Sequence, residues 1–222
     1  MTRTSAGSVL KLKGRWKPFR FIGNYRCLDF VNTEAKKSGD IVDFLHGDED
    51  LVTWLISAKL FERTKLNQSL KKWEGKQTSG LLLSEGLRLR GVVEEMAGQI
   101  VARREVSRSA LQAINRLIRT RSGTTRLVKT RAGFCTRFEP ELNEPQHLLV
   151  PIALSAADLL CDGDFSRVKQ CSNQDCGAFF YDTSKNRRRR WCAGSSCGNR
   201  IRVAAFYRRR HRNAGGEQAG KS

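Results

Sequence analysis

The 222-residue chain carries 41 Lys and Arg against 22 Asp and Glu, a formal net charge of +19, and 39% of its residues are hydrophobic. That apolar fraction excludes wholesale disorder, and the length suits one sizeable domain or a core domain with a small module. So large a positive surplus points to a polyanionic partner, either nucleic acid or an anionic membrane surface.

The charge is uneven. Residues 164–213 hold 13 Lys and Arg against 3 Asp and Glu, whereas residues 1–163 hold 27 against 18. Polyanion binding is therefore expected in the C-terminal part. The first 20 residues are basic but lack the apolar core of a signal peptide. The most apolar stretch, LLVPIALSAADLLC (148–161), is too short to span a bilayer and contains Pro151 and Asp158. These features predict a cytoplasmic protein with no membrane association. In a reducing cytosol clustered thiols hold metal more often than they form disulfides.

Residues 1–20 read as a loose basic tail. CLDFVNTEAKK (27–37) fits a buried helix or a strand equally well, its apolar run being short. In DEDLVTWLISAKLF, Asp48 is expected to cap a helix with Leu51, Trp54, Leu55 and Ala58 on one face. KLNQSLKKWEG (65–75) predicts another short helix. Residues 81–104 predict a major helix that Gly86, Gly91 and Gly98 each weaken by about 1 kcal/mol relative to alanine, unless close packing needs them. SRSALQAINRLIRTRSG has a serine start, apolar Leu111, Ile114, Leu117 and Ile118, and a stop at Gly123. TRLVKTRAGFCTRF (125–138) alternates around Gly133 and suggests a β-hairpin. Residues 148–161 then form a buried helix, with Pro151 in its first turn and Asp162-Gly163 ending it. The expected organisation is a basic tail (1–20), a mostly helical α+β domain with a small hairpin (21–163), a small cysteine-rich module (164–213) and a flexible tail (214–222).

Four cysteines are spaced Cys171-x4-Cys176 and Cys192-x4-Cys197, with fifteen residues between the pairs. Two close pairs suit a tetrahedral zinc ion, because each closes a short loop around one edge of the metal. A disulfide knot, an iron–sulfur cluster and unliganded thiols are the alternatives. Four cysteines leave no open coordination position, so the site reads as structural. GAFFYDTS is expected to form a hairpin with Phe179, Phe180 and Tyr181 over the metal. GNRIRVAAFYRRRHR reads as a helix with Ile201, Ala204, Ala205 and one of Phe206 or Tyr207 turned inward. Knuckle, hairpin and basic helix resemble a treble-clef module. Cys27, Cys135 and Cys161 are scattered and read as small core residues.

Between the cysteine pairs lie Lys185, Arg187, Arg188, Arg189 and Arg190. Arg200, Arg202, Arg208, Arg209, Arg210 and Arg212 follow on the helix. With the loop set fixed at both ends by metal and the second set on the same small module, these cations suit phosphate binding, and the guanidinium fork matches phosphate oxygens or the edge of guanine. The expected partner is double-stranded DNA, with RNA as the alternative; Tyr181, Trp191 and Tyr207 would then be stacking candidates. His46, His147 and His211 lack a neighbouring histidine or a clear acidic partner, and no nucleophile–base pairing is apparent, so an enzyme is not expected. Asp182 suits a turn or counter-ion role.

Cys197-Gly198-Asn199-Arg200 matches the name-giving motif of the CGNR zinc fingers. The match extends through GDFSRVKQC and CGAFFYDTSKNRRRRWC. Upstream, CLDFVNT, DLVTWLISAKLF and LLVPIALSAADLL resemble the ABATE domain that accompanies this finger in bacterial proteins. The resemblance covers roughly residues 21–212 and implies a stress-induced transcription regulator with a DNA-binding finger. It implies Cys171, Cys176, Cys192 and Cys197 as ligands of one structural Zn2+. Arg187–Arg190, with the basic residues around Asn199 and Arg200, would form the nucleic-acid surface, although Asn199 suits a hydrogen bond within the finger equally well. Trp191 is expected to pack over the site. The helical domain would sense a signal through a ligand of its own, or form a homodimer.

Overall fold

The computed structural model describes residues 19–37, 40–73, 80–199, 201–203 and 206–207. Most of the expected tail, and Arg200, Arg208, Arg209, Arg210, His211 and Arg212, lie outside the described residues.

The chain enters through helix α1 (Arg26–Val31), which settles CLDFV as helical. Buried Asp29 fixes its start by accepting from the Gly23 N–H at 2.8 Å and the Arg26 guanidinium at 3.2 Å. Strands β1 (Glu34–Lys37) and β2 (Asp40–Asp43) then form an antiparallel pair that the sequence reading did not foresee. Its anchor is Arg90, 7% exposed, which donates to Asp43 at 2.8 Å and to Thr33 at 3.1 Å and reaches Glu34 at 3.3 Å.

Helix α2 (Asp48–Ser57) buries Leu51, Val52, Trp54 and Leu55, as the apolar spacing requires. Asp48 does not cap it, since Gly47 holds that position. The Asp48 carboxylate instead accepts the N–H groups of Gly80 at 2.9 Å and Leu83 at 2.7 Å. It thus caps α4 (Leu81–Val101), whose own cap residue, Gly80, has no side chain to offer. Between them lies α3 (Arg63–Trp73).

Helix α4 is the spine of the core. It buries Leu82, Leu89, Val93, Met96, Ala97 and Ile100, and α1, α2 and α5 (Arg108–Arg119) pack against it, while α6 (Val150–Asp162) packs on α1 and α5. Of its three glycines, read as weakening the helix unless close packing needs them, only one is needed for space. A Cβ on Gly86 would lie 2.7 Å from Leu51 Cδ2, whereas Gly91 and Gly98 have nothing within 4 Å. Ser107 caps α5 by accepting from the Ala110 N–H at 3.2 Å. That helix ends at Thr120, and Gly123, with φ +153°, opens the next hairpin rather than stopping the helix.

Strands β3 (Gly123–Thr130) and β4 (Gly133–Pro140) pair in register from Gly123 opposite Pro140 to Thr130 opposite Gly133. The hairpin stands largely in solvent, with Leu127 and Phe134 each 72% exposed. A short 3-10 turn (Pro145–Leu149) leads into α6, which has Pro151 in its first turn and ends at Gly163. Cys27 is buried, and burial pushes its thiol up to about 12. Cys135 and Cys161 are exposed, contrary to their reading as core residues, because one lies on the projecting hairpin and the other on the last turn of α6.

Candidate metal centre and basic loop

After α6, a 3-10 turn (Phe165–Arg167) enters β5 (Val168–Gln170), which pairs antiparallel with β6 (Phe179–Tyr181). The hairpin therefore straddles the first cysteine pair instead of folding within GAFFYDTS. Strand alternation then divides its aromatics: Phe179 joins the helical core, while Phe180, fully buried, joins the cysteine cluster. The outer edge of β6 is paired by the N-terminal part. Asn32 accepts from the Phe179 N–H at 2.9 Å and donates to its carbonyl at 2.8 Å, and the Tyr181 N–H donates to the Gly23 carbonyl at 2.8 Å.

The knuckle between Cys171 and Cys176 closes through Cys171 N–H to Ala178 O at 2.8 Å and Cys176 N–H to Asn173 O at 2.9 Å. Gly177, with φ +66°, turns the chain out of it. The second pair is joined through a π-turn (Gly194–Gly198) that contains Cys197, and a Cβ on Gly198 would meet the Trp191 ring at 3.5 Å. Trp191 packs over the cluster, as expected.

All four sulfurs are buried and lie within 4.8 Å of one another. The Cys176–Cys192 and Cys192–Cys197 separations are each 3.6 Å. A zinc ion about 2.3 Å from each of four tetrahedral sulfurs requires edges of about 3.8 Å. The donor set and its spacing fit one structural Zn2+, and the four cysteines form a zinc-binding module.

One contact was hidden from sequence reading. Arg20, the last residue of the segment read as a tail, donates to Cys192 Sγ at 3.2 Å, Cys176 Sγ at 3.6 Å and Cys197 Sγ at 3.9 Å. Burial alone would lower the pKa of this guanidinium. The bond to Cys176 and the thiolate charge around it outweigh that and raise it. Hydrogen bonds from Cys171 and Cys192, with a further one from Arg20, push the Cys176 thiol far below the usual range; the same pairing pushes Cys171 and Cys192 up. A dication levels such differences, and four thiolates around it leave two net negative charges for Arg20 to face.

The loop between the pairs is organised by Asp182, which is fully buried. Its Oδ1 accepts from the Ser184 N–H at 2.9 Å and hydroxyl at 2.6 Å, and its Oδ2 from Lys169 Nζ at 2.7 Å and the Arg189 N–H at 2.9 Å. Burial would raise its pKa, but these donors, Lys169 foremost, hold the carboxyl far below the usual range. Lys169 also donates to the carbonyls of Arg187 and Arg189, and the Ser172 N–H holds the Arg190 carbonyl at 2.9 Å.

The four arginines consequently differ. Arg189 is half-buried: its guanidinium donates to the carbonyls of Trp191 and Cys192 and lies 4.7 Å from the Phe180 ring centre. Arg187, with φ +53°, is exposed but ion-paired with Asp164 at 2.9 Å. Arg188, Arg190 and Lys185 are exposed, and among the described residues none of the three has a carboxylate partner. Asn199 is exposed at the start of the following helix, and Arg202 is exposed with a donor 3.4 Å from the Gly194 carbonyl. Ile201 is half-buried, but Phe206 and Tyr207 are 53% and 56% exposed, so neither aromatic turns inward as the helical pattern suggested. They stack on each other edge to face at 5.7 Å. Tyr181 is half-buried, and its hydroxyl accepts from the Asp164 N–H.

Fold and site together define a helical α+β protein that carries a four-cysteine zinc module. Residues 24–163 match the ABATE family model, described as "Putative stress-induced transcription regulator". Residues 167–210 match the CGNR zinc finger. The chain belongs to the ABATE family, with the CGNR finger at its C-terminal side. A search of the curated proteins finds no match to the chain.

Proposed function

We propose that this protein is a cytoplasmic transcription regulator that binds duplex DNA through its zinc module, by binding rather than catalysis. The observation that carries this reading is a loop closed by the four-cysteine site that presents Lys185, Arg188 and Arg190 to solvent without acidic partners among the described residues. Asn199, Arg202 and, outside the described residues, Arg200 and Arg208–Arg210 extend the surface on the sequence pattern. Phosphate contacts of this kind supply affinity and register, while base-edge contacts supply specificity. The helical body acts as sensor or dimerisation unit.

Selection of zinc-loaded protein against a randomised duplex pool at near-physiological salt tests the reading. An enriched motif is expected, and Arg188→Ala and Arg190→Ala should each reduce the log–log salt slope by about 1. Arg189→Ala should lower finger stability instead. No salt-dependent duplex binding by the intact, zinc-loaded chain would refute the proposal. One observation favours a second reading: the exposed Phe206–Tyr207 pair within the basic helix suits stacking on unpaired bases. Tighter binding to RNA than to DNA of matched length and salt would select it.

A further inference from the structure

Three of the large apolar side chains left exposed, Val101, Leu111 and Phe165, converge on one groove of about 1240 Å3. It lies between the end of α4, the start of α5 and the strand β5 with its arginine loop. Ile100 and Val168 form its buried floor, and Leu160 of α6 adds a half-buried wall. Arg103 and Arg104, just beyond α4, and Arg188 and Arg190, from the arginine loop, are exposed and also line it. The backbone of the first pair is fixed by a left-handed Arg103, φ +55°, and by the Arg104 N–H bond to Gln99 O at 2.8 Å. Among the described residues none of these four cations is ion-paired, and Glu105 is the single acid among those lining the groove.

An apolar trough lined also by unpaired guanidiniums is matched incompletely by most ligands. A polyanion such as a nucleic-acid backbone leaves the Val101–Leu111–Phe165 surface wet, and a neutral hydrocarbon leaves the cations without an acceptor. We infer that the groove binds an amphipathic anion, an aliphatic chain ending in a carboxylate or phosphate, whose head group engages Arg188 and Arg190. The tail covers apolar surface that otherwise faces water, and the head accepts charge-assisted hydrogen bonds. Resting on the DNA-binding reading above, occupancy withdraws these two arginines from the duplex and weakens DNA binding.

The test is calorimetric titration of the zinc-loaded full chain with decanoate and with decyl phosphate, below their micellar concentrations. Decanol and acetate supply the tail and the charge alone. One saturable equivalent of decanoate or decyl phosphate is expected, with the tighter of the two naming the head group, and weaker binding of both controls. Leu111→Asn, at a position 39% exposed, should weaken binding about tenfold. Phe165→Ser provides an independent variant on a separate element, and Arg126→Ala on the projecting hairpin should change nothing. Uptake of many equivalents insensitive to both groove variants, decanol binding as tight as decanoate, or no binding of either anion would overturn the site. Decanoate should also raise the Kd for duplex DNA in the parent chain and not in Leu111→Asn. Saturable binding without that shift would overturn the coupling and leave the ligand site standing. A chain that never binds DNA would refute the preceding proposal while the calorimetry still decides the groove.

Discussion

Asp182→Asn is the most informative single change outside the cysteines. The amide keeps one oxygen for Ser184 but turns an NH2 group toward the Lys169 ammonium and the Arg189 N–H, so three donors face one another in a fully buried position. Breaking a buried charge pair costs about 3–5 kcal/mol. Lys169 keeps a quarter of its side chain in water, which lowers that to about 2–4 kcal/mol. The loss falls on the loop that Asp182 and Lys169 pin, residues 184–190, while zinc stays bound through cysteines the substitution does not touch. Trypsin reads this directly, because the loop carries its cleavage sites. When opening and closing are fast, cleavage follows the open population, so cutting within 187–190 should rise about 30- to 700-fold at unchanged zinc stoichiometry. Cleavage of the Asn variant at the parental rate would show that the carboxylate does not hold the loop, and the account of why these arginines are ordered would fall.

Other perturbations separate the remaining arguments. Cys197→Ser should abolish zinc binding and lower the melting temperature of the helical body as well, because Val168 and Phe179 belong to its core; zinc analysis with thermal denaturation checks both halves. Gly91→Ala and Gly98→Ala, with open space around the new methyl, should each stabilise by about 0.5–1 kcal/mol in urea unfolding. Gly86→Ala should show no such gain, since its methyl meets Leu51 at 2.7 Å. Burial would raise the pKa of Asp43, but its bonds from Arg90 and from the Leu45 N–H outweigh that and hold it below the usual carboxylate range. Its stabilisation is therefore complete above about pH 4 and is lost as pH falls below that, toward its folded value. Asp43→Asn should be less stable than the parent at neutral pH and lose less of its melting temperature between about pH 5 and pH 2.

Legibility in the sequence followed the range of the interaction. The zinc ligands were readable because each pair is local, and α5 because its serine cap and apolar spacing lie within one helix. The β3–β4 hairpin was readable because its turn lies within the window that reveals it. Contacts made across long separations left no such trace. Asp48 has the residue type and position of an N-cap for its own helix, and only the approach of α4 shows that it caps that one. The partner of β6 lies before the first cysteine, so the aromatic run alone pointed to a hairpin in the wrong place. Arg90 sits on an otherwise apolar face, and nothing local announces Asp43. Arg20 was one basic residue among many until the fold brought three sulfurs to it. In the arginine run, four identical letters concealed one anchored guanidinium, one ion-paired and two free of any carboxylate among the described residues.

The alternation of Phe179 and Phe180 along β6 has a thermodynamic consequence. One strand serves as a wall of two cores, with the Asn32 amide and the Arg20 guanidinium crossing the same seam. Filling the cysteine site therefore tightens the helical body, and by reciprocity anything that rigidifies the helical body raises the affinity for zinc by the same factor. The metal ion and the helices, far apart in the chain, report on each other's state.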